Sequence, residues 1–168
     1  LRWIRKQQKQ FAEQKRETKR RYVSGESHFL KGERYLLKVI ERKGKQEVKL
    51  KFNKIELYVL PNATVESKER IMERWYRSIL SEYIEVFVDK WEKKIGVNCL
   101  NSKIRKMRTL WGSCNKDKQT ITLNLELSKK PIECLEYIVV HELIHLIEYS
   151  HNQRFISLMD KHMSDWRS

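Results

Sequence analysis

The sequence predicts an α+β fold in which small antiparallel sheets pack on a long helix and on a second helix rich in apolar residues. Segments that alternate apolar and polar residues, first within residues 27–60 and again within 103–125, are typical of half-buried strands. Between them, residues 64–96 repeat apolar side chains at three- and four-residue spacing, as one face of a helix requires. The 168 residues are enough for one domain with a sizeable core, so we treat 1–168 as a single domain.

The first 60 residues are predicted to hold an exposed helix and one antiparallel sheet. Residues 1–22 are dominated by Lys, Arg, Gln and Glu, which favours an exposed helix with a short apolar contact face. Gly25 and Gly32 bracket a turn and a short strand, and the segment Lys43-Gly44-Lys45 predicts a hairpin turn. The expected strands are residues 27–30, 35–40, 47–52 and 55–60.

The longest helix is predicted to run from Thr64, a suitable N-cap, to Gly96, a suitable C-terminal stop. A stripe of large apolar side chains follows one face of this helix and indicates packing in the core, with the later apolar helix as its partner. The stripe consists of Met72, Trp75, Tyr76, Ile79, Leu80, Tyr83, Phe87 and Trp91.

The second half of the chain is predicted to hold two further strands and two helices. The segment Trp111-Gly112-Ser113-Cys114 is expected to belong to the connection between the two strands. Pro131 suits the first turn of a helix, because proline has no amide hydrogen to leave unpaired there. The expected elements are strands at 103–110 and 120–125, a helix from Pro131 to about residue 149, and a last helix at 152–162.

The segment His141-Glu142-Leu143-Ile144-His145, followed by His151, is the most informative about function. Histidines at positions i and i+4 of a helix stand one turn apart on the same face, so their imidazoles can converge on one metal ion. Glu142 lies beside that face, where its carboxylate can reach a metal-bound water and act as a general base. With His151 as third ligand, these residues predict a hydrolytic site holding one Zn²⁺ per chain, with another divalent metal as the alternative.

A structural cluster of histidines without a metal is the competing interpretation of this motif. Residues 137–140 and most of 143–147 are apolar, so the helix is expected to be buried, where unliganded histidines and a glutamate are costly to desolvate. The spacing 141, 145, 151 equals that of the metzincin pattern HExxHxxGxxH, but Glu148 stands where that pattern has glycine. The chain is therefore expected to bring His151 round differently, from the start of the next helix.

Composition limits the classes of partner and location. Thirty-six Lys and Arg against 22 Asp and Glu give a formal net charge of +14. This charge favours acidic partners such as nucleic acid or nucleotides, although it is spread along the chain, as in a solvated basic surface. No apolar run approaches the ~18 residues needed to span a bilayer and no signal-peptide pattern opens the chain, so we expect no membrane contact and a cytoplasmic location. The three cysteines form no CxxC pair and are expected to be free thiols.

Several blocks of this sequence resemble one known family. They are residues 22–27 (YVSGES), 111–114 (WGSC), Leu123-Asn124 and Tyr137 to His145, followed by His151 and Phe155. Together they resemble the YgjP-like metallopeptidase family, relatives of the SprT-like and WLM zinc peptidases, from Trp3 onward.

The resemblance implies a zincin-like fold in which His141, His145 and His151 are metal ligands and Glu142 is the catalytic base. The chain departs from the family at Leu110, where an arginine usually precedes the WGSC tryptophan. The family also begins with a further sheet segment, so the sequence is expected to lack its N-terminal part.

The expected function is that of a cytoplasmic zinc-dependent hydrolase, a metallopeptidase that uses a zinc-bound water activated by Glu142. Its substrate is expected to be a peptide or protein, paired in extended form with the strand at residues 120–125. One alternative is a metal-dependent nucleotide triphosphate pyrophosphohydrolase whose basic residues neutralise phosphates, and a second is a DNA-associated module with a structural metal site. Three histidines and one glutamate favour zinc and acyl chemistry over Mg²⁺-dependent phosphoryl transfer, which usually relies on carboxylates.

Overall fold

The computed structural model describes residues 19–164 and Trp166. Residues 1–18, which carry most of the predicted N-terminal helix, lie outside the described residues, and residues 19–22 are not helical. Within the described part of the chain, two small sheets, a long helix and two shorter helices share one cluster of buried side chains. The predicted α+β class is thereby confirmed.

The first sheet contains four strands in the order β1-β2-β4-β3. Strand β1 is antiparallel to β2, and β3 is antiparallel to β4, whereas β2 and β4 run parallel. Their bounds are β1 Ser27–Leu30, β2 Glu33–Glu41, β3 Glu47–Lys51 and β4 Lys54–Val59.

The prediction of purely antiparallel sheets is wrong here, because strand β4 inserts between β2 and β3. Every residue of β4 after Lys54 is buried, so this strand takes a central place, while the lysine-rich β3 lies at the edge. The turn at Phe52-Asn53, with a φ of 48° at Phe52, folds β3 back onto β4. The glycine turn near Gly44 therefore connects two strands that are not neighbours.

Helix α1, Val65–Ile95, has the ends predicted from the sequence. The Thr64 side chain accepts a hydrogen bond from the Ser67 amide, which satisfies one of the unpaired amides of the first turn. Gly96 ends the helix with a φ of 81°, a left-handed conformation that glycine adopts at little cost. The predicted stripe faces the core, and its Trp91 Nε1 donates to Glu136 on the later apolar helix at 2.8 Å.

The second sheet consists of β5 Asn101–Arg105, β6 Gly112–Asn115 and β7 Thr120–Asn124, in the order β5-β7-β6. Strand β7 is parallel to β5 and antiparallel to β6, so this sheet is also mixed. The strand predicted at 103–110 ends early and the WGSC segment forms a strand. Asn124 accounts for the first correction, because its Nδ2 donates to the carbonyl oxygens of Met107 and Leu110 and holds residues 106–110 as a loop. The second follows from the antiparallel pairing of residues 112–115 with β7.

The remaining helical elements are a 3-10 helix Leu125–Lys129, helix α2 Ile132–Ile144 and helix α3 Gln153–His162. Residues 137–144 of α2 are all buried, because this helix packs against α1 and against strands β6 and β7. The prediction that it continues to about residue 149 is wrong, since His145 is already its C-cap and a turn follows. Helix α3 is confirmed, with the Asn152 side chain accepting from the Phe155 amide.

Candidate metal centre

Helix α2 places the first two predicted ligands in the interior of the molecule. His141 lies in its last turn and His145 is its C-cap, with only 6% and 8% of their surfaces exposed. The Phe155 ring of α3 packs against both imidazoles, at centroid distances of 4.9 and 4.7 Å. Packing from a second helix therefore restricts the orientation of both rings.

His151 reaches the same point without the glycine of the metzincin pattern. The turn after His145 is stabilised by Glu148, whose side chain accepts from the Ser150 amide at 3.2 Å. The φ of Glu148 is not positive, so this path does not require glycine. His151 stands immediately before Asn152, the N-cap of α3, in agreement with the expectation that the third histidine comes from the start of the next helix.

The three imidazoles converge through their Nε2 atoms. The distances are 3.1 Å between His141 and His145, 3.1 Å between His145 and His151, and 3.0 Å between His141 and His151. At any moment each Nε2 is either a hydrogen-bond donor or an acceptor. With three atoms and two roles, at least one pair consists of two donors or two acceptors, and the two atoms of that pair repel each other. Nitrogens that share one zinc ion at about 2.0–2.1 Å lie roughly 3.0–3.4 Å apart. The arrangement therefore fits a shared cation better than mutual hydrogen bonding.

The protonation of the histidines suits metal binding. Burial lowers the pKa of His141 to about 2 and also lowers the pKa of His145, so both rings are neutral near pH 7. The carbonyl oxygen of Glu148 lies 3.0 Å from His145 Nδ1, which fixes the tautomer that donates from Nδ1 and leaves the Nε2 lone pair for a metal. His141 Nδ1 is buried without a hydrogen-bond partner among the described residues.

Glu142 lies between the two helical histidines in sequence and is 5% exposed. Burial raises the pKa of its carboxyl to about 8. A carboxylate with such a high proton affinity is a stronger base than an exposed one, and a cation held by the neighbouring histidines lowers that pKa again. The position combines high basicity with proximity to the cluster of imidazoles.

Within the described residues, one group of at least three His, Cys, Asp or Glu side chains has the geometry to hold a metal ion, and it consists of His141, His145 and His151. The three cysteines are free thiols and do not belong to this group. Three protein ligands leave room for a further ligand, the arrangement usual in catalytic zinc sites rather than structural ones.

The sheet beside this cluster differs from the arrangement expected from the sequence. Strand β7 was expected to be the edge that pairs with substrate, but it is hydrogen-bonded by β5 on one side and β6 on the other. Strand β6 is the edge strand next to α2, and its second edge has no strand partner among the described residues. This strand could not be predicted from the sequence, because its four residues GSCN show no run of branched or aromatic side chains.

No helix in the described part of the chain is both long enough and apolar enough to cross a membrane.

A buried helix with HExxH, a long packed helix and a third histidine after a turn define the class of metal-dependent hydrolases. The sequence model of one family, described as YgjP-like, metallopeptidase domain, matches residues 1–168. The chain belongs to this YgjP-like metallopeptidase family, as the resemblance indicated.

No curated protein matches the chain. Among solved structures it is similar to the metallopeptidase zymogen of Pyrococcus abyssi abylysin, with 23% identity and a TM-score of 0.44 over 47% of this chain and 78% of the other. It is also similar to the metallopeptidase zymogen of Methanocaldococcus jannaschii jannalysin, with 27% identity and a TM-score of 0.43 over 49% and 83% of the two chains.

Proposed function

We propose that this protein is a zinc peptidase in which His141, His145 and His151 hold the ion and Glu142 is the general base. The convergence of three imidazole Nε2 atoms within 3.0–3.1 Å carries the proposal. The family, whose domain is a metallopeptidase domain, gives independent support.

When bound, zinc supplies Lewis acidity, which polarises a peptide carbonyl and lowers the pKa of a coordinated water. Glu142 takes a proton from the attacking water and returns it to the leaving amine nitrogen, so one buried carboxylate serves as base and then as acid. The packing of Phe155 and α3 against the imidazoles excludes bulk water from one side of the site. The chemistry that this chain's own groups provide is therefore ligand orientation and proton transfer.

An extended peptide is the substrate that the sheet favours. The free edge of β6 offers backbone amides and carbonyls beside α2, and a peptide strand can pair with them by strand addition. Strand pairing recognises backbone groups and needs few particular side chains. It holds the scissile bond against the helix that carries Glu142.

The two alternatives receive less support. Mg²⁺-dependent phosphoryl transfer usually relies on carboxylate ligands, whereas the described cluster consists of three histidines. A structural metal site usually has four protein ligands, and the described cluster has three. The proposed location remains the cytoplasm, which the free thiols favour.

The test is activity of zinc-loaded protein against a library of unstructured peptides and a panel of nucleoside triphosphates, measured side by side. We expect peptide cleavage detected by mass spectrometry and no triphosphate turnover, with Glu142→Gln inactive in both assays. Triphosphate hydrolysis that Glu142→Gln abolishes would establish the nucleotide alternative instead. Tight zinc binding without turnover of either substrate would favour the structural site.

A further inference from the structure

Gly112, on the edge strand β6, lies directly against the side chain of Glu142. A Cβ built on Gly112 would stand 2.6 Å from Glu142 Oε1, 2.8 Å from its Cγ and 2.9 Å from its Cδ. All three distances are shorter than real Cβ contacts, which essentially never fall under 3.0 Å. The backbone of β6 therefore approaches the carboxylate at a distance that only glycine permits.

The backbone conformation of Gly112 does not itself call for glycine. Four other glycines, Gly25, Gly32, Gly44 and Gly96, have φ values between 81° and 114°, where other residues are strained. Gly112 is outside this region and pairs with Leu123 in a regular antiparallel ladder. The close approach of Glu142 is thus the steric reason for glycine at this position.

The alternating direction of side chains along β6 explains why Gly112 is the residue that contacts Glu142. Gly112 and Cys114 lie on one face of β6, and their partners on β7, Leu123 and Ile121, lie on the same face of the sheet. Both partners are fully buried, and this face packs toward α2. Cys114 lies two residues along the same face, and burial together with the charge of Glu142 raises the pKa of its thiol to about 11. The inner face of β6 forms one wall around Glu142.

We infer that Gly112 is a positioning residue for the peptidase reaction: its missing side chain leaves the space in which the Glu142 carboxylate is held between α2 and β6. This inference rests on the proposed role of Glu142 as general base. A methyl group at position 112 meets a side chain rather than backbone, so the fold can absorb it by rotating Glu142. The carboxylate then leaves the position from which it reaches the attacking water.

The first experiment separates kcat from KM in full-length, zinc-loaded protein. Gly112→Ala is expected to keep one zinc per chain and an unchanged KM for a peptide substrate, while kcat falls by about tenfold or more, since small misplacements of a catalytic group have effects of this size. Gly44→Ala is the control, because it adds the same methyl where nothing lies within 4 Å and at a strained φ of 114°. It is expected to lower the melting temperature and leave kcat unchanged.

The possible results distinguish failure of the positioning role from failure of the proposed function. An unchanged kcat in Gly112→Ala, or a loss of zinc in place of a loss of kcat, would overturn the positioning role. Full activity of Glu142→Gln would overturn the proposed function itself, and this variant is measured in the same series to keep the two failures apart.

The second experiment needs neither zinc nor activity. In metal-free protein, Gly112→Ala is expected to lower the melting temperature by about 3 °C or more, a shift that corresponds to roughly 1 kcal/mol in a chain of this size. In a Glu142→Ala background the same methyl enters the space that the carboxylate left, so the melting temperature is expected to stay level or rise. An equal decrease in both backgrounds would show that Gly112 does not act through Glu142.

Discussion

The charged form of Glu142 is negative, whereas the charged form of each histidine in the candidate site is positive. Burial favours the neutral form of both kinds of side chain. Desolvation raises the pKa of the Glu142 carboxyl and lowers the pKa of His141 and His145. Neutral imidazoles can bind a metal ion without first losing a proton. A carboxyl whose pKa is raised to about 8 is mostly protonated near pH 7, and a cation held by the neighbouring histidines would lower that pKa and restore the carboxylate that accepts a proton. Burial therefore prepares the proposed ligands for a metal ion, and the bound ion would restore the charged form of the proposed base.

Replacing Glu142 by glutamine separates the role of the proposed base from that of the proposed ligands. Glu142→Gln keeps the size of the side chain, so we expect zinc content and melting temperature close to those of the wild type. Peptide cleavage should fall roughly 10²-fold or more, the usual contribution of a general base. Elemental analysis and a peptidase assay measure both quantities. Loss of zinc from this variant would instead make Glu142 a ligand.

The sequence predicted the histidines better than it predicted their surroundings. The i, i+4 spacing of His141 and His145 specifies a shared helical face, so their convergence follows from helix geometry alone. The contact between Gly112 and Glu142 joins residues of different elements, and no spacing within one segment indicates such a contact. The same holds for Asn124, which binds residues 106–110 from the end of β7.

The turn between helices α2 and α3 determines where His151 lies. Glu148 contributes twice, through its carbonyl oxygen near His145 Nδ1 and through its side chain, which accepts from the Ser150 amide. We expect Glu148→Ala to weaken zinc binding about tenfold, the lower end of the range for groups that orient metal ligands. Glu148→Gln keeps an acceptor oxygen for the Ser150 amide, so it should bind zinc within about twofold of the wild type, measured by competition with a chromophoric chelator. Equal affinities in both variants would show that the side chain does not order this turn.

Asn124 holds the connection that leads into the WGSC strand. Its side chain is fully buried, donates to two carbonyl oxygens and accepts from the Glu126 amide. We expect Asn124→Leu to lower the free energy of unfolding by about 3 kcal/mol, because several buried backbone groups lose their partners at once. The exposed Asn115 offers a control, and Asn115→Leu should cost less than about 1 kcal/mol in urea unfolding. Similar losses in the two variants would contradict this account of the loop.

The positions of the strands along the chain could be predicted from the sequence, but their order in the sheet could not. Alternating side chains located β2, β3 and β4 along the chain, yet pairing depends on which strand is buried on both sides. Strand β4 is the most buried of the three and takes the centre, a property that appears only when the whole sheet is packed against α1.

Part of the positive charge of the molecule is neutralised by ion pairs on the first sheet. Arg42, Lys45 and Lys49 lie within 4 Å of the Glu47 carboxylate, and Lys38 and Lys51 lie within 4 Å of Glu56. Five cations share two carboxylates there, so a positive excess remains on an exposed surface. Such pairs contribute little to stability in water, and they agree with a solvated basic face.

We expect zinc to stabilise the whole fold, because the three proposed ligands converge only in the native state. At about 1,000 times its dissociation constant, a ligand of the native state adds roughly 4 kcal/mol. We therefore expect zinc to raise the melting temperature of the metal-free protein by several degrees, and His145→Ala to lose both the bound zinc and this increase. Equal zinc content in the variant and the wild type, by elemental analysis, would remove His145 from the ligand set.

Restoration of peptide cleavage by zinc tests the central claim most directly. A wild-type preparation is stripped with a chelator, freed of it and titrated with zinc, while the cleavage rate of a short neutral peptide is followed. We expect no cleavage in the stripped protein and full recovery at about one zinc per chain, the stoichiometry of a single three-histidine site. Cleavage that survives removal of the metal, or recovered protein that hydrolyses nucleoside triphosphates and no peptide, would contradict the assignment as a zinc peptidase.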